Sequence, residues 1–239
     1  MGDAAGLLSL GDGGYGDELL AGLWLTLRVA VFGYAVSLLI GPVLSAAALS
    51  SSRVARVFWR VYASVFMGVP SIVVIFILYY NGPFLVSAVT QPLGFGDVEV
   101  SPYLAGIAGL GFVYASYVGE VLRGAVGNIP RGQFEAVRAL ALPRIVAWRK
   151  VIVPQVLRLA LPGLVNVWMV LLKDVALVSL VGLADVIRMA DIAAGVTKQP
   201  FLFYTVAGLL FIVIAAVSTW VAEALERGLR RGHDLPRTS

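Results

Sequence analysis

The sequence contains no cysteine and a single histidine, His233, close to its end. Disulfides, zinc centres and Cys or His catalysis are therefore not expected within it. Charge is also scarce: Asp, Glu, Lys and Arg make up 13% of the 239 residues, against about 25% in ordinary soluble domains. Hydrophobic residues make up 59% and the mean hydropathy is +0.90, which excludes a soluble globular class. The short alternating segments of a membrane β-barrel are absent. Apolar runs long enough to cross about 30 Å of hydrocarbon as helices recur instead. None of Lys150, Lys173 and Lys198 is preceded by Gly or followed by Ser or Thr, so the chain has no Gly-Lys-Ser/Thr loop to cradle phosphates. Repeats of solenoid length are missing too. The expectation is an all-α integral membrane bundle.

Residues 1–18 have no Lys or Arg but carry Asp3, Asp12, Asp17 and Glu18. They lack the basic start and short apolar core of a cleaved signal peptide, so the first helix is expected to remain as an anchor behind an outside tail. Spans are expected over about 19–49, 57–80, 102–126, 156–181 and 200–225, with a basic tail over 227–239. Gly68 and Pro70 fall inside the second span, where a kink is expected rather than an end. The third carries small residues at four-residue spacing, Ala105 and Gly109 and then Gly111, Ala115 and Gly119, a stripe that admits another helix closely. Asp97 and Glu99 lie in a loop free of basic residues, whereas Arg53, Arg56, Arg60, Arg131, Arg138, Arg144, Arg149, Lys150 and Arg158 cluster in the others. By the positive-inside rule the N-terminus is outside and the C-terminus inside. The net charge of +4 therefore reports on sidedness, and no nucleic-acid partner is expected.

Segment 131–154 is too basic to lie in lipid and reads as two short helices. Pro143 interrupts the first and suits N1 of the second, on which Ile145, Trp148 and Ile152 share a face. Such a pair either lies on the membrane surface or docks a partner. Within the apolar spans Glu120, Lys173 and Asp174 stand out, since a charge there costs about 2.5–3.5 kcal/mol. They form either a buried bridge from Lys173 to Glu120 or Asp174, or a midplane site. In a site the carboxylates suit an ammonium or guanidinium and Lys173 suits an α-carboxylate. Tyr117, Asn166 and Ser179 would add hydrogen bonds or simply pack helices. Arg28 can snorkel to headgroups, and Arg188, Asp191 and Lys198 read as a solvated outer connection.

The run GQFEAVRALALPRIVAWRKVIVP resembles the coupling motif of binding-protein-dependent ABC importer permeases: Glu-Ala-Ala, three residues, Gly, nine residues, then Ile-x-Leu-Pro. Glu135 and Ala136 match, Val137 replaces the second Ala, Ala141 replaces the Gly, and Val151, Val153 and Pro154 keep the terminal spacing. If the family's Gly takes a left-handed turn, Ala141 costs roughly 1–2 kcal/mol there. GLWLTL, YASVFMGVPSIVVIFILYY and ALPGLVNVWMVLLKD are similar to the polar amino acid branch. GLGFVYASYVGEVLRGA and ALVSLVGLADVIRMA are similar to its histidine/lysine-arginine-ornithine and opine permeases. Met67 stands where that branch commonly has Arg, and Val175 and Ala176 where it has Thr-Ser.

The resemblance implies a five-helix type I ABC importer permease of a bacterial inner membrane, with a cytoplasmic coupling hairpin and no enzymatic activity of its own. Docking would involve Gly132, Gln133, Glu135, Ala136, Ala141 and Pro154. The implied partners are an ATPase dimer holding the ATP and Mg, a second permease subunit expected as a paralogue, an extracytoplasmic solute-binding protein and membrane lipid. The implied cargo is a cationic amino acid or an opine, with another polar amino acid such as glutamine or glutamate as the alternative. A membrane-embedded enzyme using Glu120 and Asp174 as acid and base, or an independent secondary transporter, would purify without an ATPase.

Overall fold

The computed structural model describes residues 4–11, 13–93 and 100–230. Asp3, Asp12, Asp97, Glu99 and the tail from 231 to 239, which carry part of the sidedness argument, lie outside the described residues. Every regular element among the described residues is helical. After one turn, α1 (Ala4–Leu7), come α2 (Gly16–Leu49), α3 (Arg53–Gly68), α4 (Ser71–Thr90) and α5 (Pro102–Gly127). A hairpin of α6 (Arg131–Ala139) and α7 (Arg144–Ala147) leads into α8 (Val153–Asp174), and α9 (Val186–Thr197) and α10 (Pro200–Arg230) complete the chain. A π turn covers Trp148–Ile152 and a 3-10 turn Val175–Val181.

Among the described residues, five stretches are long and apolar enough to cross a bilayer: Gly16–Leu49, Ser71–Ala88, Pro102–Gly127, Arg144–Val181 and Pro200–Ala224. Their number matches the expectation, but the second differs from it in kind. The helix does not kink at Pro70; it ends at Gly68 and restarts at Ser71, with Val69 and Pro70 extended at ψ 131 and 136. Proline supplies no N–H and drives the residue before it out of the helical region. The freed groups are satisfied locally, by Val69 N–H to the Val65 carbonyl (2.9 Å) and Val73 N–H to the Pro70 carbonyl (2.9 Å). A clean break therefore costs little here.

Helix α5 is the centre of the bundle. It starts where Ser101 Oγ accepts from the Leu104 N–H (3.3 Å), with Pro102 in the first turn where a missing donor is harmless. The small-residue stripe does what its spacing implies. A Cβ at Gly109 would lie 2.8 Å from Ile75 Cγ1 of α4, one at Gly111 2.5 Å from Val36 Cγ1 of α2, and one at Gly119 3.0 Å from Trp59 of α3. Ala105 and Ala115 are buried beside them, so three helices approach α5 at backbone distance.

Segment 182–199, expected as a connection of mixed charge, contains α9. Val186, Ala190, Ala193 and Ala194 form its apolar face and pack with Leu19 and Phe203. Asp185 caps it by accepting from the Arg188 N–H (2.9 Å). Arg188 and Asp191 pair at 3.1 Å on its outer side, and Tyr204 of α10 donates to Asp191 (3.0 Å). The charges that read as a loop decorate a helix and fasten it to its neighbour.

Candidate functional site

Two helix interruptions meet inside the bundle. One is the break before Ser71. The other is the change from α-helix to 3-10 turn after Asp174, which runs to Gly182 in a left-handed conformation (φ 85). Ser71 Oγ donates to Asp174 Oδ2 at 2.6 Å, and the buried Tyr114 hydroxyl lies beside the same carboxylate. The N-terminal end of α4 also faces this point, and its positive dipole favours an anion there. The Tyr114 ring contacts that of Tyr117 (centroids 5.6 Å apart), and Tyr117 reaches the exposed face of α5.

The other expected polar residues are placed differently from the sequence-based picture. Lys173 bridges neither Glu120 nor Asp174: among the described residues it makes no ion pair and is exposed. Glu120 instead takes Arg123 of its own helix in a two-pronged pair, with Arg123 Nε at 2.8 Å from Oε2. Asn166 is exposed on α8, and Ser179 is half-buried and donates to the Ala176 carbonyl of its own turn (2.8 Å). Tyr117 and Glu120 share a face of α5, and Asn166 and Lys173, seven residues apart, share one of α8. Both faces carry polar or charged side chains at membrane depth. Such a strip needs either water or another protein against it. Ser71, Tyr114 and Arg123 were missed by the sequence reading, although Arg123 stands at i+3 from Glu120 and Ser71 directly follows Pro70.

The hairpin is built for rigidity at its base and exposure at its tip. Phe134 of α6 packs with Ile129, Ile152 and Val156, and Gln155 Nε2 donates to Gln133 Oε1 (3.2 Å). Gly132, Gln133, Glu135 and Ala136 are exposed. At the turn, Leu142 N–H reaches the Val137 carbonyl (3.2 Å) and Ala141 N–H the Arg138 carbonyl (2.9 Å), the paired bonds of a Schellman cap. Ala141 occupies its left-handed position with φ 49. The backbone has kept the glycine conformation despite the Cβ.

Ala141→Gly should therefore stabilise the chain. Relief of about 1–2 kcal/mol of left-handed strain outweighs the roughly 0.4–1 kcal/mol of extra unfolded-state entropy. A net gain of about 1 kcal/mol corresponds to a rise of about 2–4 °C in the melting temperature of the detergent-solubilised protein. A lower melting temperature would show that the turn is not strained.

Beyond the turn, two expectations need correction. Pro143 is the extended N-cap residue of α7 rather than its first helical residue. Ile145, Trp148 and Ile152 do not share a face: Ile145 is 80% exposed and Ile152 1%. The reason is the π turn, in which Val153 N–H bonds back five residues to the Trp148 carbonyl. Its wider winding rotates the face and makes room for the Pro154 ring, which would collide with the carbonyl four residues back in a regular helix. Pro154 thus does not separate the hairpin from the fourth span. One helical rod with a π turn runs from Arg144 to Asp174.

Residues 33–231 match the family described as binding-protein-dependent transport system inner membrane component. The chain belongs to that family. Among curated relatives, the histidine/lysine/arginine/ornithine transport system permease protein HisQ of Escherichia coli K12 is 35% identical over 214 residues, covering 90% of this chain and 94% of HisQ. The nopaline transport system permease protein NocQ of Agrobacterium fabrum is 37% identical over 228 residues, covering 95% and 97%. A crystal structure of an amino acid ABC transporter with histidines superposes with a TM-score of 0.76 at 29% identity, covering 89% of this permease and 94% of that chain. The protein is thus an ABC importer permease subunit, a multi-pass protein of the bacterial inner membrane and not an enzyme. Family membership implies an ATPase and a binding protein as partners.

Proposed function

We propose that this permease carries a cationic amino acid or an opine, and that the Asp174 carboxylate at the two helix interruptions receives the cationic group. The observation that carries this reading is a part-buried carboxylate that accepts from the Ser71 hydroxyl (2.6 Å), has the Tyr114 hydroxyl beside it and, among the described residues, makes no ion pair. Two hydroxyls orient a carboxylate without neutralising it, so a ligand cation would gain the charge-assisted bond that the protein withholds. The names of HisQ and NocQ point to the same class of cargo.

The exposed strip of Tyr117, Glu120, Asn166 and Lys173 then faces the path or a second permease subunit, which would be a paralogue. The hairpin over 131–154 would dock on an ATPase dimer that holds the ATP and Mg. The N-terminus lies outside and the C-terminus inside, with the basic hairpin in the cytoplasm. Docking motion would reach Asp174 along the continuous rod from Arg144. Gly132, Gln133, Glu135, Ala136, Ala141 and Pro154 serve the docking end of that rod.

The test is reconstitution with the partner subunits and uptake of labelled arginine, lysine, histidine, octopine, glutamine and glutamate. Saturable uptake confined to the neutral or acidic amino acids would overturn the cationic assignment. In the same system Glu135→Lys reverses the charge at the exposed docking end. Binding-protein-stimulated ATP hydrolysis should fall about tenfold or more, as expected for reversing a charge at a complementary interface. Unchanged stimulation and unchanged ATPase co-purification would remove the docking role of the hairpin.

A further inference from the structure

At the basic end of the bundle, α2, α5 and the rod formed by α7 and α8 enclose a cleft of about 450 Å³. Leu38, Pro42, Ser45 and Leu49 of α2 form one wall, and Trp148 and Leu157 stand opposite. Apart from Ser45 and the indole N–H the lining is hydrocarbon, which leaves nothing to bind the charged ends of an amino acid. The cleft therefore does not belong to the substrate path. It continues toward the middle of the bundle, because Leu38 and Leu164 also line a second apolar cleft with Tyr34 and Trp168.

Its dimensions decide what can fill it. From Leu49 to Leu38 the wall rises about 16 Å at 1.5 Å per residue, close to the half-thickness of a hydrocarbon core of about 30 Å. Even the whole void, about 1060 Å³ with its open margin, divided by that length leaves a mean cross-section of only about 66 Å². A helix 10–12 Å across with its side chains needs roughly 80–110 Å², so a helix of a second copy or of a partner does not fit. One extended acyl chain does.

The mouth has one sign of charge. Trp148, 44% exposed, is followed by Arg149 and Lys150, both exposed. Across the mouth, Arg56 Nη1 donates to the Ser50 and Ser51 carbonyls (both 2.8 Å), which fixes its guanidinium just past Leu49. Segments 43–60 and 140–160 contain no Asp or Glu. Ser45 is 5% exposed, lines the cleft one turn below the mouth, and makes no hydrogen bond among the described residues. Its oxygen opens onto the cleft, where a hydrocarbon lining offers the hydroxyl no acceptor. At that depth the acceptor available to it in a bilayer is the ester carbonyl of a glycerolipid.

We infer that this cleft is a binding site for an anionic phospholipid of the inner leaflet. One acyl chain lies along α2, the ester carbonyl accepts from Ser45, and the phosphate sits among Arg56, Arg149 and Lys150 beneath the Trp148 indole. The lipid thereby rests on the π turn, the one irregular turn in the rod between the hairpin and Asp174. Its binding and the identity of the cargo are independent of one another.

The experiment uses the full chain in mixed micelles containing phosphatidylglycerol or phosphatidylcholine with brominated acyl chains, which quench tryptophan at short range. The Trp148 contribution is the difference between the wild type and Trp148→Phe, because Trp24, Trp59, Trp168 and Trp220 also emit. Brominated phosphatidylglycerol should quench that contribution at a mole fraction at least fivefold lower than brominated phosphatidylcholine. Ser45→Phe, which fills the cleft, should abolish the quenching. The paired change Arg149→Gln and Lys150→Gln, at exposed positions, should bring the ratio of the two lipids to about one even if Ser45→Phe does not fold. Equal quenching by both lipids in the wild type would mean ordinary surrounding lipid. Absence of quenching by either would mean a cleft closed by protein, and each of these two results overturns the assignment.

Discussion

Asp174→Asn should cut binding-protein-dependent uptake of a cationic amino acid at least tenfold while leaving the yield of assembled complex within about twofold. The substitution keeps the shape of the side chain and removes its charge. An amide can still satisfy its neighbours, because the Ser71 and Tyr114 hydroxyls rotate and one can accept from the amide NH2 while the other donates to its oxygen. The fold therefore has little to lose. What disappears is the carboxylate end of a charge-assisted bond, about 1.5–3 kcal/mol when its partner is a cation, and 1.4 kcal/mol is already tenfold. Glu120→Gln makes the contrast. Its carboxylate is engaged by Arg123 on the same helix, and both side chains are more than 40% exposed, so uptake should change by less than about threefold. Uptake and complex yield measured side by side separate the alternatives. Normal uptake per assembled Asp174→Asn complex, or a larger loss for Glu120→Gln, would show that Asp174 fastens α4 to α8 and does not meet the cargo.

What the sequence disclosed and what it hid divide along a physical line. The apolar spans and the small-residue face of α5 are properties of one helix, and spacing alone announces them; the strained turn at Ala141 was implied only by the resemblance to the permease motif, in which Gly stands there. The break at Pro70 is different. A proline in an apolar run either kinks or ends a helix, and the choice depends on whether neighbours offer something to the new terminus. Here Asp174, about a hundred residues later, accepts from Ser71 at that terminus. The bridge between Lys173 and Asp174 failed for a local reason that the sequence did contain. Adjacent residues on a helix point about 100° apart, whereas Glu120 and Arg123, three apart, face each other. Likewise α9 shows apolar residues at 186, 190, 193 and 194, a helical period obscured by the charges of its outer face. The π turn before Pro154 was not legible at all, since no local residue pattern distinguishes it from a helix end.

Asp185→Asn should stabilise the protein by about 2–3 kcal/mol near pH 7.5 and by almost nothing near pH 4. Asp185 is fully buried where the 3-10 turn gives way to α9, outside the membrane-spanning stretches. Its Oδ1 caps α9, while Oδ2 is buried without a hydrogen-bond partner. The wall opposite is α2, which presents Gly22, packed against the Asp185 carbonyl, and Thr26, whose hydroxyl accepts from the Val186 N–H (3.2 Å). Neither carries charge, and Arg188 turns outward to Asp191. Burial pushes the carboxyl up from 3.8 to about 6 against the opposing pull of the α9 N–H groups. Between pH 4 and 6 the folded state therefore holds a proton that the unfolded state has released. The stability linked to that proton is fully present below about pH 4 and is lost as pH rises through 6, a difference of roughly 3 kcal/mol at 1.36 kcal/mol per unit. Asparagine cannot ionise and is as good an N-cap as aspartate, so it retains the cap and escapes the loss. Melting temperatures of wild type and variant in detergent, taken from pH 4 to 8, should diverge as pH rises. Parallel curves, or a variant less stable at pH 7.5, would mean that the buried carboxylate is compensated in the folded protein and that its charge holds α9 in place.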